Sequence, residues 1–262
     1  MPEAYIVDAV RTPVGRRGGG LAHVHSADLG AHVMRELVTR TGIDPAAVDE
    51  VIFGCLDQIG SQAMDVARTC WLAAGLPDTV PGTTIDRQCG SSQQAISFAA
   101  QAVMSGTEDL VVAGGVQNMS AIPIQSSNLA AKDLGFPDPF SGSAGWTQRY
   151  GNEPVSQFHG AEMIAEKWGI SREDMEEFAI GSHEKALAAQ AAGRFDSEIA
   201  PIAGVLADEG PRVPNREKIA SLKPLTEGGR ITAAVASQIS DGSAALLIAS
   251  ERALKEHGLT PR

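Results

Sequence analysis

Strand-type and helical segments alternate through the first 120 residues, and this alternation constrains the fold more than any other feature of the chain. Short β-type segments are predicted at Tyr5–Val10, Val51–Gly54, Thr83–Asp86 and Asp109–Ala113. Helical patterns lie between them at Ala27–Thr41, Gln62–Ala74 and Ser91–Met104. A strand-helix-strand order of this kind requires a largely parallel sheet with helices packed on its faces. The sequence therefore predicts an α/β fold.

The pattern changes after Met119. Ser120–Pro154 is rich in Ser, Gly, Pro and Asp and has no sustained periodicity, which is typical of a functional loop region. Further helices are predicted at Ala161–Trp168, Ser171–Ala192 and Glu251–His257, and an apolar strand at Ala244–Ala249. The sequence thus predicts one sheet domain that is interrupted by a long excursion between about residues 120 and 230.

Charge and cysteine content exclude several classes of function. The chain of 262 residues has a formal net charge of −11, whereas binding to nucleic acid or to an anionic membrane needs a basic surface. Its 3 cysteines lack metal-ligand spacing and are too few for a disulfide framework. No segment approaches the roughly 18 apolar residues of a membrane span, and the start of the chain does not resemble a signal peptide. We therefore expect a cytoplasmic protein without a bound metal.

Cys89 is the candidate nucleophile. It lies where a β-type segment gives way to the helix predicted to begin at Ser91. The unpaired N–H groups and the positive end of a helix dipole favour a thiolate at such a position. The alternative is an inert packing residue, which is what most isolated cysteines are. Cys55, at a strand end, and Cys70, inside an apolar helix, are predicted to be core residues.

Six separated motifs resemble those of the thiolase family, which makes or cleaves the carbon–carbon bond of 3-ketoacyl-CoA. They are Asp8–Gly15, Asp49–Gly54, Asp86–Ser91, Ala113–Ser120, Ala161–Met163 and Ser237–Ala245. The resemblance covers nearly the whole chain and implies a layered α/β/α core half with an inserted loop domain. It divides the chain into an N-terminal core at 1–120, a loop domain over the active site at 121–230, and a return to the core at 231–262. A second core half, which the family normally has, is absent from this sequence.

The resemblance also implies a two-step acyl transfer, with Cys89 matching the family's nucleophile and carrying the acyl group as a thioester. Coenzyme A and acyl-CoA would be substrates, with no permanently bound cofactor. Arg212 matches a position near the nucleotide end of CoA, Leu222 should contact the cofactor, and Ser237 should contact its pantetheine arm. The form of the motif around Cys89 favours a degradative member. Homodimers or homotetramers of the complete protein are expected.

Several departures from the family pattern limit these expectations. The Gly-His-Pro and Cys-x-Gly segments that supply the family's base and acid do not occur, so we expect the isolated chain to be inactive or nearly so. A non-catalytic acyl-CoA-binding or lipid-binding module that kept half of the fold is the alternative. Ser92, Ala234 and Val235 replace the usual Gly, Gly and Asn. His183 is interpreted as a solvated surface residue and His159 as a lining or structural one.

Two basic segments have open interpretations. The arginines and lysines of residues 212–230 could form the basic patch that an anionic ligand needs, or a solvated run of charges interleaved with glutamates. The glycine-rich segment Arg16–Gly20 follows a strand but lacks the pattern of a phosphate-binding loop. We therefore expect a flexible loop there, suited to an interface.

Overall fold

The computed structural model describes residues 3–262. The strands within this range are β1 (Ala4–Arg11), β2 (Gly15–Arg16), β3 (Glu50–Gly54), β4 (Gly82–Ile85), β5 (Leu110–Asn118) and β6 (Ser240–Ser250). The α-helices are α1 (Ser26–Thr41), α2 (Val66–Ala73), α3 (Ser91–Ser105), α4 (Ser126–Asp133), α5 (Ala144–Tyr150), α6 (Gln157–Trp168), α7 (Arg172–Ala191), α8 (Arg216–Ala220) and α9 (Glu251–Glu256).

One mixed sheet organises the strands in the order β1-β6-β5-β3-β4. β3 is parallel to both β4 and β5, while β6 is antiparallel to β5 and to β1. The four main strands of the alternating region therefore point the same way, as that alternation predicts. β6 is inserted among them in the opposite direction. The expectation of a largely parallel sheet fails only at this strand, which follows the long excursion instead of a single crossover helix.

Helices cover both faces of the sheet, which confirms the α/β/α layering. The larger core cluster joins the sheet to α1, α2 and α9, and a smaller one joins it to α3. Only one side of α3 is buried, through Ala95, Ala99 and Val103, whereas Phe98 and Met104 are each 42% exposed. The described residues therefore cover this helix from the sheet side alone.

The helix α2 begins later than its apolar pattern predicts. Asp65 caps it by accepting a hydrogen bond from the N–H of Arg68, and the preceding Gln62 lies in a short 3-10 turn. Gln62 is fully buried, and its side chain bonds the N–H of Asn118 and the C=O of Asp57. A buried glutamine that bridges two chain segments replaces the first helical turn.

The chain divides into two compact units. Of the described residues, the sheet unit comprises 3–127 together with Asp196–Gly210 and Ile239–Arg262, and the helical unit comprises Asn128–Phe195 and Pro211–Gln238. These limits differ from the predicted division at 121 and 230, since the middle stretch 196–210 clusters with the sheet.

Arg11 holds that middle stretch in the sheet unit. Its guanidinium forms ion pairs with Glu198 at 2.7 Å and with Asp208 at 2.6 Å. Both carboxylates and the guanidinium are partly buried, so solvent screens these pairs less than it screens pairs on an open surface. Together with the backbone bonds that Arg11 forms with Glu198 and Ala200, these ion pairs join residues 196–210 to the strands although they follow the long helix α7.

The helical unit is built mainly from α6 and α7. A capping box begins α7, since the Ser171 and Asp174 side chains each accept a hydrogen bond from the other residue's backbone N–H. α4 and α5 lie within Ser120–Pro154, where the sequence indicated only a loop. Both helices are short, and the rings of Phe140, which precedes α5, and of Trp146 and Tyr150 within it pack in series with centroids 4.3 and 4.6 Å apart.

Candidate active site

Cys89 lies in the turn between β4 and α3, and it is exposed. Gly90 is the N-cap residue of α3, which begins at the predicted Ser91. The N–H groups of Gly90 and Ser91 donate to carbonyl oxygens within the turn, each at 3.1 Å. These two groups therefore stabilise the turn, and what the helix offers a negative sulfur is chiefly the positive end of its dipole.

Two side chains hold this turn. Asp86 Oδ1 accepts a hydrogen bond from the N–H of Gln88 at 2.7 Å. The Ser91 hydroxyl accepts one from the N–H of Arg87 at 2.8 Å and donates one to the C=O of Gln88 at 2.6 Å. Gln88 has a φ of 51°, in the left-handed region that residues with a side chain seldom adopt. Gln88, the residue before the candidate nucleophile, is thus strained, and side-chain hydrogen bonds hold both its N–H and its C=O.

Two glycines let the start of α3 approach the sheet. A Cβ on Gly54, at the end of β3, would lie 2.4 Å from both the carbonyl carbon of Ser91 and the amide nitrogen of Ser92. A Cβ on Gly115, in β5, would lie 2.1 Å from the Ser92 hydroxyl oxygen. Only glycine leaves room for this contact. The serine that replaces the family's usual glycine at position 92 therefore packs its hydroxyl against a glycine of the sheet.

The other two cysteines are core residues, as predicted. Cys55 and Cys70 are buried, and burial is the largest cause that raises the pKa of each thiol to about 12. A thiol with so high a pKa has almost no thiolate at neutral pH. The reactive sulfur of the described residues is therefore expected at position 89.

His183 is not the solvated residue that the sequence indicated. It is partly buried on α7, and its Nδ1 accepts a hydrogen bond from the backbone N–H of Arg212 at 3.4 Å. Burial, and then the charge of Arg212, lower the pKa of His183. The prediction failed because the contact joins residues 29 apart in sequence. His159 also lies on a helix, α6, where its backbone N–H is capped by Ser156.

The three expected CoA contacts all lie in the helical unit, but the structure does not bring them into one pocket. Ser237, with Val235 and Ala236, lines a cavity of about 620 Å³. The remaining wall comes from α6, α7 and the segment that joins them, together with Ile231, and most of it is apolar. Arg212 is exposed, and Leu222 is partly buried with its C=O accepting from Arg172 at 2.8 Å. The apolar residues of this wall were not predicted as site residues, since their helical spacing looks like ordinary core.

The basic segment is partly neutralised by its surroundings. Arg216 forms an ion pair with Glu177, and the guanidinium of Arg230 donates to the C=O of Ile170 at 3.3 Å. The interpretation as a solvated charge run is therefore correct for Arg216, whose partner is as exposed as the arginine itself.

The glycine-rich loop does not offer its N–H groups to a phosphate. The Glu209 carboxylate accepts hydrogen bonds from the N–H groups of Arg16 and Gly20, and Ser120 accepts one from Gly18. This geometry agrees with the prediction that the segment is not a phosphate-binding loop. A carboxylate already occupies the position that an anion would need.

Within residues 3–262, no helix is both long enough and apolar enough to cross a membrane. The same residues contain no cluster of three or more His, Cys, Asp or Glu side chains able to hold a metal ion.

The structure is a layered α/β/α half-core that presents an exposed cysteine at the start of a helix packed closely on the sheet. A sequence model of the family described as thiolase, N-terminal domain, matches residues 4–252. The chain belongs to the thiolase family.

Individual relatives agree with this assignment. The chain is 60% identical over 266 residues to a steroid 3-ketoacyl-CoA thiolase of Mycobacterium tuberculosis; the match covers 100% of this chain and 65% of that protein. It is 41% identical to a 3-oxoadipyl-CoA/3-oxo-5,6-dehydrosuberyl-CoA thiolase of Escherichia coli, covering 100% of this chain and 70% of the relative. The crystal structure of the Bacillus anthracis acetyl-CoA acetyltransferase matches with a TM-score of 0.82 and 36% identity, covering 100% of this chain and 68% of that one. The chain thus spans roughly two thirds of the length of each relative.

Proposed function

We propose that the complete protein is an acyl-CoA C-acyltransferase that cleaves 3-ketoacyl-CoA through an acyl thioester on Cys89. The observation that carries this proposal is the placement of an exposed sulfur at the positive end of α3, whose start packs so closely on Gly54 and Gly115 that no larger residue fits at either position. Among the described cysteines, the two buried thiols have a pKa of about 12, which leaves Cys89 as the attacking group.

The proposed degradative reaction proceeds in two steps. The Cys89 thiolate attacks the ketone carbon of the substrate, and the bond between that carbon and the α-carbon breaks. The acyl group stays on sulfur, and the departing acetyl-CoA takes a proton at its α-carbon. The thiol of free CoA then loses its proton, attacks the thioester and releases a shortened acyl-CoA together with the Cys89 thiolate. Exchange of one thioester for another is nearly balanced in energy, so the intermediate both forms and breaks readily.

The similarity to a steroid 3-ketoacyl-CoA thiolase supports a bulky, ring-derived acyl group as the substrate class. We infer that coenzyme A and its thioesters enter as substrates, and that Arg212, Leu222 and Ser237 contact the CoA part of these molecules. Ser237 has the firmest support, because a hydroxyl in a mostly apolar cavity suits an arm of alternating amides and methylenes. Substituting Ser237→Ala should weaken CoA binding in calorimetry, whereas Ser182→Ala, exposed on α7, should not.

The decisive experiment uses the full-length gene product. Incubation with acetyl-CoA or a longer acyl-CoA should add one acyl group to the peptide that contains Cys89, as measured by mass spectrometry. The variant Cys89→Ser should show no thioester that hydroxylamine releases. If the full-length protein binds acyl-CoA but acquires no adduct at Cys89, the non-catalytic binding module becomes the better assignment.

We also propose that the complete protein is a cytoplasmic homodimer or homotetramer. Sedimentation equilibrium of the full-length protein would measure the oligomeric state, and a mass equal to one chain would exclude this part of the proposal. Fractionation of the source cells would test the compartment.

A further inference from the structure

We propose that Ser91 is a positioning residue: its hydroxyl holds Gln88 in the left-handed conformation and thereby fixes where Cys89 presents its sulfur. The inference deepens the proposed function, because it gives Ser91 importance only through the role of Cys89. It concerns the contacts of the turn itself, which the chain as described contains in full.

The hydroxyl of Ser91 bonds the backbone on both sides of the strained peptide. It accepts from the N–H of Arg87 at 2.8 Å and donates to the C=O of Gln88 at 2.6 Å. Ser91 is only 5% exposed, so water cannot easily replace either bond once the hydroxyl is removed. Loss of this oxygen would therefore weaken the restraint on the backbone at Gln88.

Gln88 needs that restraint because of its conformation. A φ of 51° is favourable for glycine, whereas the side chain of glutamine makes it costly. Such a conformation persists only where the surrounding structure imposes it. Asp86 supplies one restraint at the N–H of Gln88, and Ser91 supplies a second at its C=O, through the hydroxyl at 2.6 Å and through the backbone N–H at 3.1 Å. Removal of the hydroxyl leaves only the weaker backbone bond at this C=O and also removes the acceptor of the Arg87 N–H, so we expect Gln88 to relax and the adjoining Cys89 to sample several orientations.

Other serines of the same helix behave differently. The hydroxyls of Ser97 and Ser105 donate to carbonyl groups of α3 itself, at 3.1 and 2.8 Å. This is an ordinary arrangement for serine in a helix. The Ser91 hydroxyl instead reaches back out of α3 to the turn, which makes Ser105→Ala a matched control for Ser91→Ala: it removes the same atoms from the same helix without touching the turn.

The experiment measures the rate of Cys89 alkylation by iodoacetamide, across neutral to alkaline pH, with mass spectrometry of the peptide. The variants are S91A, Q88G, the double variant and S105A, each first shown by circular dichroism to be folded. We expect S91A to slow alkylation about tenfold, from the loss of two hydrogen bonds that fix the turn. S105A and Q88G should stay within about twofold of the unchanged chain.

The double variant identifies the mechanism. Glycine adopts the left-handed conformation without strain, so S91A in the Q88G background should slow alkylation by less than about threefold. Wild-type kinetics for S91A at every pH would overturn the proposal. An equal effect of S91A in both backgrounds would also overturn it, since Ser91 would then act without residue 88.

The role of Ser91 and the proposed function can be tested separately. Acyl transfer from acyl-CoA to Cys89 is measured on the unchanged full-length protein, whereas alkylation reports the orientation and ionisation of the sulfur alone. If the full-length protein accepts no acyl group, the proposed function fails. The alkylation series still decides whether Ser91 controls the sulfur.

Discussion

Gly54, at the end of β3, leaves no space for a side chain, and the substitution Gly54→Ala should therefore displace the start of α3. The added Cβ would lie 2.4 Å from two backbone atoms of that helix and 2.7 Å from the Cβ of Ser91. Ordinary contacts between such atoms are about 3.5 Å or longer. The helix start must consequently move by about 1 Å, because no flexible side chain is available to yield instead.

The expected cost follows from this geometry. Inserting a methyl group into a well-packed site typically costs about 1–3 kcal/mol, and the upper end applies where backbone has to move. The lower entropy of unfolded alanine returns about 0.4–1 kcal/mol. We therefore expect a net loss of about 2 kcal/mol in the free energy of unfolding of the sheet unit. With a urea dependence of about 2 kcal/mol per molar, the unfolding midpoint falls by about 1 M.

Urea unfolding followed by circular dichroism measures this shift, and alkylation of Cys89 reports the displaced helix start. The matched control is Gly181→Ala in the middle of α7, where the new Cβ meets no atom within 4 Å. That substitution should stabilise α7 by up to about 1 kcal/mol, since alanine favours a helix. If Gly54→Ala leaves both the midpoint and the alkylation rate unchanged, the close contact between α3 and the sheet is refuted.

Three further predictions concern charges and thiols. In the folded chain iodoacetamide should modify Cys89 while the two buried thiols react only after urea unfolding, as peptide mass spectrometry would show. Burial and the neighbouring Glu50 raise the pKa of Glu108 to about 7 from 4.5, so the folded chain keeps a proton that the unfolded chain releases. The free energy of unfolding should therefore fall as pH rises from about 4.5 to 7, by about 1 kcal/mol after allowance for partial exposure, and Glu108→Gln should flatten this dependence in urea titrations. Arg11→Ala should cost about 2 kcal/mol, because it removes the guanidinium that pairs with the partly buried carboxylates of Glu198 and Asp208, and should open residues 196–210 to limited proteolysis.

Each of these predictions has a result that contradicts it. Alkylation of a buried thiol at the same rate as Cys89 would show that the sheet unit opens readily. If Glu108→Gln shows the same fall in stability between pH 4.5 and 7 as the unchanged chain, Glu108 is not its cause. For Arg11, the comparison is Lys255→Ala, which breaks an exposed ion pair on α9 and should change stability by less than about 0.5 kcal/mol. Equal effects of the two substitutions would contradict the restraint assigned to Arg11.

Local signals predicted much of the fold. α3 was predicted at Ser91–Met104 and ends one residue later, because Gly90 and Gly106 flank it and Gly106 takes the left-handed conformation of a helix end. β3 is one residue longer than predicted, since its apolar run is bounded by turn residues. Such elements depend on neighbours in sequence, so sequence alone is enough to place them.

Features that depend on distant residues were not predictable in the same way. The reversed direction of β6 depends on the return of the chain after more than a hundred residues, and no local pattern encodes it. The left-handed φ of Gln88 is imposed by side chains and has no glycine or asparagine to signal it. In the candidate site, Cys89 could be identified from its position before a helix. The hydrogen bonds from Ser91 to the turn could not be predicted, because they depend on the three-dimensional path of the backbone. A serine two residues after the cysteine and an aspartate three before it were the available signal.

The position of β6 in the middle of the sheet has a consequence for how the protein is made. Residues 240–250 pair with β1 on one side and β5 on the other, so the two parts of the sheet share no completed ladder until those residues leave the ribosome. Until then, β1 and β5 both expose unpaired edges, which invite pairing with other chains. During synthesis β1, the first strand to be made, must therefore remain unpaired with β6 while α4 to α8 are produced. We therefore expect this topology to make folding during translation depend on chaperones.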